Sequence, residues 1–554
     1  MNAKKTSIWF LPIFLISAAL FLSPSRSAQE AAKKLTYDQV YRNAEPRLLQ
    51  PLADTRGWLD ATHYLLFERD ETTKSEKLFR VDARSGEKTL FLDYSAIQKD
   101  FPEGLRASSH VARTEDFQRF CYLHRGDLYS YSVPDRAFKR LTASAGLERN
   151  PRFSPDGRWL AYTRNHNLYS MDIERGLEHQ LTDDGSDTVY NGWASWVYYE
   201  EILGRRSRYA AFWWSPDSRR IAFLRFDDSP VPTFPLFRAG GPHGKLEIER
   251  YPKAGDPNPY VRLGVVPAEG GKIVWADVEE KADHYVAWPF WLADGRGLTF
   301  QWMNRDQDHI IIYRMDLETG EKSPILEEKQ PSWVTFFEDL HFFGDGSGLL
   351  LRTDADGWSH LYHYGLDGRL KSRLTQGEWS VTRIALVDEA HGRVFFHARK
   401  GNTTETHLFR VNLDGSGLKR LTRKPGTHRA QVSPDGSYIL DRFSSIDTPA
   451  RLELLDGGGT LIRRISDSRT PVMAEYALGK KELFTIPTED GWELPAYWIL
   501  PPEFDPGKRY PVLFMIYGGP GSSTVSNSYP SLSQLYLVQE GIIVFSLDHR
   551  GSGH

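Results

Sequence analysis

The stretch "GWASWVYYEEILG" (192–204) sets two carboxylates, Glu200 and Glu201, side by side behind Trp196, Tyr198 and Tyr199. Neighbouring carboxylates repel each other, and a bound ammonium relieves that cost. Aromatic walls that exclude water strengthen the attraction. Such a pair is suited to capturing a protonated amine; the alternative is a solvated acidic pair on a short surface helix. Bond-breaking groups are harder to find. No serine sits in a Gly-x-Ser-x-Gly elbow, since "GDGSGLL" sets Gly344, Gly346 and Gly348 around Ser347 at the wrong spacing. Ser522, Ser523 and Ser552 are loop serines with no base in sight, and a serine without a positioned base is a poor nucleophile. His360 and His363 in "SHLYHYG" have no carboxylate or cysteine set at ligand spacing, so no metal and no cofactor is expected.

The elements that must hold the acidic pair are strands. From about residue 51 to 470 the chain repeats one unit: an apolar strand, a Pro-Asp-Gly-like turn, a second apolar strand, and a strand with a Leu-Tyr or Leu-Phe pair. "NPRFSPDGRWLAYTRNHNLYSMDIERGLEHQLTDDG" is the clearest copy, and Pro155, Asp156 and Gly157 are the residues a tight turn needs. About eight copies can be counted, each too small to bury a face alone, which predicts an all-β, eight-bladed β-propeller. Ser229 to Glu279 is Pro-rich and longer than a hairpin loop needs, as an elaborated blade would be. Beyond residue 470 the class changes. "ELFTIPT" and "ELPAYWILP" read as a hairpin, "YPVLFMIY" and "GIIVFSLD" as strands buried on both faces, and "SNSYPSLSQLYLVQE" as a covering helix. Residues 471–554 are therefore expected to form the N-terminal, incomplete part of an α/β-hydrolase domain.

The 554 residues carry a formal net charge of −4 spread over both signs, which leaves no basic footprint for nucleic acid. Lys4 and Lys5, the apolar run from Ile8 to Leu22, and Ser25, Ser27 and Ala28 match a secretory signal over 1–28, with an uncleaved anchor as the alternative. A short segment, 29–50, follows it. Export to the periplasm or medium is the expectation. Cys121, the single cysteine, excludes an internal disulfide and reads as a buried small apolar residue.

On three anchors, "GWASWVYYEEILG", "YPKAGDPNP" at 251, and "IYGGPGSS" with "DHRGSG", the chain resembles the dipeptidyl peptidase IV branch of the prolyl oligopeptidase-like serine peptidases. The resemblance implies that Glu200 and Glu201 clamp the α-amine of a peptide and limit cleavage to two residues from its end. It places Tyr517, before Gly518 and Gly519, as an oxyanion-hole donor, and an arginine beside the acidic pair, for which Arg119 and Arg125 in "QRFCYLHRGDLYSY" are both placeable. Phe337 in "SWVTFFEDLHF" becomes a wall of the same pocket, against the alternative of core packing. In the family the nucleophile and the rest of the triad lie downstream of the Asp-x-Arg-Gly-Ser-Gly run, so none is expected in this chain; His549 and His554 come too early to be the base. The expected whole is a serine exopeptidase, a homodimer when complete, releasing Xaa-Pro or Xaa-Ala dipeptides from peptides with a free N-terminus. These 554 residues alone are expected to be inactive. Two other readings stand beside it: a non-catalytic exported propeller that binds peptides or protein partners, and a tripeptidyl or acylaminoacyl peptidase, which should have moved or lost one glutamate.

Overall fold

The computed structural model describes residues 32–554, and the leader read at 1–28 lies outside them. Eight antiparallel sheets follow one another along the chain, at 54–93, 112–140, 149–180, 189–275, 284–329, 340–373, 380–420 and 427–467. These are blades 1 to 8 of a β-propeller. All have four strands except blade 4, whose first strand is split in two.

The repeated turns explain why the units form. Ser154 Oγ accepts from the Trp159 N–H at 2.9 Å, Asp156 Oδ1 accepts from the Arg158 N–H at 3.0 Å, and Gly157 takes φ 70°. Ser215 with Arg220 and Ser433 with Tyr438 repeat the serine cap, also at 2.9 Å. A second device closes the outer side of the blades. The hydroxyls of Thr142, Thr182, Thr375 and Thr422 accept from the N–H groups of Leu128, Leu168, Leu361 and Leu408, at 2.8, 2.9, 3.0 and 3.0 Å.

Strand alternation then stacks the blades, because successive side chains face opposite neighbours. In blade 2, Phe120 and Tyr122 pack on Leu65 and Leu78 of blade 1, while the fully buried Cys121 packs on Leu160 and Tyr162 of blade 3. In blade 1, Tyr64 and Leu66 turn the other way and meet Leu440 and Leu454 of blade 8, which closes the ring. Among the described residues no strand is shared across that seam. It is clasped instead by the chain on either side of the ring: Gln50 N–H donates to Ser468 O at 2.7 Å, Thr470 N–H to Leu48 O at 3.1 Å, and Lys33 N–H to Glu475 O at 2.8 Å.

After blade 8, strands Lys480–Pro487 and Glu493–Leu500 form an antiparallel hairpin. Ile543–Leu547 pairs antiparallel with Glu493–Leu500 and parallel with Val512–Phe514, and helix Leu532–Gln539 lies in the crossover. Leu35 and Leu48 join the core of this unit with Ile499, Leu535, Val538 and Val544. Blade 7 anchors it: Arg399 donates to Gly553 O at 2.8 Å and to Ser523 Oγ at 2.6 Å, and Asn527 Nδ2 donates to Glu405 Oε1 at 2.8 Å. One expectation is corrected here. The "YPVLFMIY" strand is not buried on both faces but forms the sheet edge, with Phe514 64 % exposed. An apolar run carries no periodic signal of its own place in a sheet.

Candidate functional site

Blade 4 carries the acidic pair in an insert. Val189–Asn191 and Phe212–Trp214 both pair with Arg220–Asp227, and residues 192–211 leave the sheet between them. The neck is closed by hydrogen bonds from Ala211 N–H to Gly192 O and from Ala194 N–H to Tyr209 O, at 2.9 and 2.8 Å. Beyond it the chain makes one helical turn, with Tyr199 N–H donating to Ser195 O at 2.9 Å, and widens to a π-turn where Leu203 N–H reaches Tyr198 O at 2.7 Å. Tyr198 pegs this turn down. It is fully buried, packs edge-on against Phe226 at 4.8 Å, and its hydroxyl accepts from the Val286 N–H of blade 5 at 3.2 Å.

Gly204 follows at φ 72°, ψ 152°, a conformation open essentially to glycine alone, and it folds the chain back on the turn. Arg205 thereby reaches Glu200 as a fork, Nε to Oε2 at 2.5 Å and a second bond from Nη2 to Oε1. That guanidinium holds the Glu200 carboxyl below its ordinary value. Adjacent side chains on a helical turn do not face the same way. Glu201 is exposed, and among the described residues no hydrogen bond or ion pair engages its carboxylate. The pair is therefore unequal: one carboxylate is fixed and partly neutralised, and the other is open. Beside it, Tyr199 stacks on Tyr209 at 3.7 Å and Tyr209 on Trp193 at 4.7 Å, with Arg149 5.2 Å above the Trp193 ring. Arg149, Arg164, His166 and Trp193 line a cavity of about 310 Å³ on the blade 3 side.

Of the other site residues, Phe337 shares a core cluster with the insert, and none makes a hydrogen bond or ion pair with the acidic pair among the described residues. Arg119 opens the second strand of blade 2, and Arg125 sits exposed at the far tip of the same strand, at φ 53°. Neither makes a hydrogen bond or ion pair with the pair among the described residues; the arginine on Glu200 is Arg205, which sequence reasoning missed. Its signal was the Gly204-Arg205 step, which is legible only once the glycine is known to reverse the chain. Phe337 is 4 % exposed and belongs to the same core cluster as Tyr198 and Ile202. Its backbone is bracketed by the Gln301 amide, which donates to Phe337 O at 3.0 Å and accepts from Phe337 N–H at 2.8 Å. Tyr517 is 70 % exposed and lies beyond the edge strand of the C-terminal sheet. In the final loop Asp548 accepts from Val525 N–H and Thr524 N–H, at 2.7 and 2.9 Å, and from His554 Nε2 at 2.6 Å. Burial pushes its carboxyl up, but these bonds outweigh burial and hold it well below the usual carboxylate range. Among the described residues no group of three or more His, Cys, Asp or Glu is placed to hold a metal.

The family description "Dipeptidyl peptidase IV (DPP IV) N-terminal region" matches residues 108–450. A probable dipeptidyl-aminopeptidase B of Emericella nidulans is 33 % identical over 436 residues, covering 72 % of this chain and 48 % of the relative. A dipeptidyl peptidase 4 of Trichophyton equinum is 30 % identical over 442 residues, 74 % of this chain and 55 % of that one. The chain thus spans about half the length of these curated relatives. The crystal structure of Porphyromonas gingivalis dipeptidyl peptidase 4 superposes with a TM-score of 0.80 at 26 % identity, covering 90 % of this chain and 71 % of that one. Eight blades, a split fourth blade carrying the acidic turn, and a match across 108–450 together make this chain a member of the dipeptidyl peptidase IV N-terminal region family.

Proposed function

We propose that this chain is the substrate-recognition part of an exported serine dipeptidyl peptidase, and that Glu201, with Glu200 beside it, captures the free α-amine of a peptide. The observation that carries this is the unequal pair: Glu200 is held by Arg205, and Glu201 is exposed with no hydrogen bond or ion pair among the described residues. An ammonium brings three donors and a positive charge to a carboxylate that no hydrogen bond or ion pair engages among the described residues. Arg205, rather than Arg119 or Arg125, is the orienting arginine in this reading. In this reading Tyr517 would donate to an oxyanion, and the Lys480–Leu547 sheet would belong to a hydrolase domain. Release of Xaa-Pro or Xaa-Ala dipeptides belongs to that whole. The hairpin Thr233–Arg238 with Lys245–Arg250, which projects from blade 4 with Phe237 and Ile248 exposed on one face, is the surface we assign to a homodimer.

The test is binding of a fluorescent peptide with a free N-terminus against its N-acetylated twin. The free-amine peptide should bind the chain, Glu201→Gln should weaken it about tenfold or more, roughly 1.4 kcal/mol, and the acetylated peptide should bind neither form. Equal binding of both peptides by the wild type rules the assignment out.

A further inference from the structure

Asp228 follows the strand Arg220–Asp227 and is 1 % exposed. Its Oδ2 accepts from Ser195 Oγ at 3.0 Å, while its Oδ1 has no hydrogen-bond partner among the described residues. A buried carboxylate with a single hydroxyl partner is poorly compensated. Burial accordingly pushes its carboxyl up to about 7. Ser195 is also the residue whose carbonyl accepts the Tyr199 N–H at 2.9 Å, the bond that starts the turn bearing Glu200 and Glu201. The Asp228 backbone ties down two further elements. Its N–H donates to Thr188 O at 2.7 Å, just before the split first strand, and its carbonyl accepts from Arg250 Nη1 at 3.2 Å, at the foot of the projecting hairpin. Substrate recognition as argued above makes no use of this carboxyl.

We propose that Asp228 is a positioning residue for the amine site: through Ser195 its carboxyl sets the turn that presents Glu201, so that its protonation state alters the affinity of that turn for a peptide amine. The proposal rests on the amine-capture reading. The groups that act on Asp228 come from each neighbouring element: Tyr190 from the split first strand, Glu249 and Arg250 from the hairpin, and Asp227 from its own strand. Arg250 favours the anion, and Glu249 and Asp227 oppose it. The sign follows from charge. An ionised Asp228 grips the Ser195 hydroxyl with a charge-assisted bond, roughly twice as strong as the neutral one. Amine affinity should therefore rise with pH until the peptide's own amine, with a pKa of about 7.7 to 8, begins to lose its proton.

The experiment measures binding of a fluorescent peptide beginning Ala-Pro, with a free N-terminus, to the full chain from pH 5.5 to 8.5, by anisotropy. In the wild type the affinity should rise several-fold between pH 5.5 and 7.5. Asp228→Asn, which keeps an oxygen for Ser195 and cannot ionise, should bind with a flat profile over that range. Ser195→Ala should bind more weakly and be equally flat. The peptide's own titration is common to all three and cancels in the comparison. A wild-type profile in Asp228→Asn overturns the proposal. Where thermal melting shows that variant unfolded, Ser195→Ala decides alone, and a preserved pH response in it overturns the proposal. If Glu201→Gln binds like the wild type, the amine-capture reading fails instead; if Glu201→Gln loses binding while both other variants titrate like the wild type, only the role of Asp228 falls.

Discussion

Glu200 and Glu201 are chemically identical and adjacent, yet the fold gives them different tasks. A fork from Arg205 holds Glu200 deprotonated to lower pH than usual, while Glu201 stays open to solvent. Removing the fork should release Glu200. In Arg205→Ala the acid limb of amine-peptide binding, where Glu200 takes up its proton, should move to higher pH; an unmoved limb would mean that Arg205 does not hold Glu200 in solution. The sign is that of any depressed carboxyl: the folded state gains from its ionisation above the unfolded pKa, and the gain is lost as pH falls. At this scale the sequence showed the pair and its aromatic surroundings, because both are local. It could not show which arginine arrives, since "GRRSR" offers Arg205, Arg206 and Arg208 and only the backbone of Gly204 selects among them. Asp228 and Ser195 were equally hidden, 33 positions apart and brought together by the blade.

The blade is the element whose regularity was easiest to read, and its turns show why. Pro-Asp-Gly turns are written contiguously, so copies at 154, 215 and 433 align by eye, even where Ser218 replaces the glycine at φ 62°. The threonine devices are spread over fourteen positions, as from Leu361 to Thr375, so the Leu-Thr step carries no local signal of its partner. They are open to a direct test. Thr375→Val keeps the volume but strands the buried Leu361 N–H, which should cost about 1 to 3 kcal/mol and lower the thermal midpoint; the same change at an exposed threonine such as Thr72 should do neither. The strand Val512–Phe514 shows the converse. Its composition is that of an interior strand, but its place in the sheet order depends on pairing partners far along the chain.

For the whole molecule, pH is the variable that acts through several buried groups at once. Burial lowers His110 and His407 to about 4 and His397 to about 3, all from an ordinary 6.5. As pH falls below 6.5 the unfolded chain takes up protons that the folded chain refuses, so these groups cost stability on acidification. Asp228, raised from 3.8 to about 7, opposes them over part of that window. Burial also lowers His166, His284, His360 and His363 and raises Glu249 and Glu338, so the histidines outnumber the acids; the denaturant midpoint should be lower at pH 5 than at pH 7, and replacing His397 by Gln should reduce the difference. An equal midpoint at the two values would mean that these side chains are hydrated in the folded state.

The seam between blades 8 and 1 carries a last consequence. The chain enters the ring at Gln50 and leaves it at Ser468 on adjoining hydrogen-bonded segments, and between the blades themselves the ring is closed by side-chain packing. Nothing in the closure depends on the order in which the blades are translated. The propeller is therefore a circle in space that happens to be cut at one point, and a circularly permuted version, with 468 tethered to 50 and new ends in a turn between two other blades, would have every interblade contact still available to it.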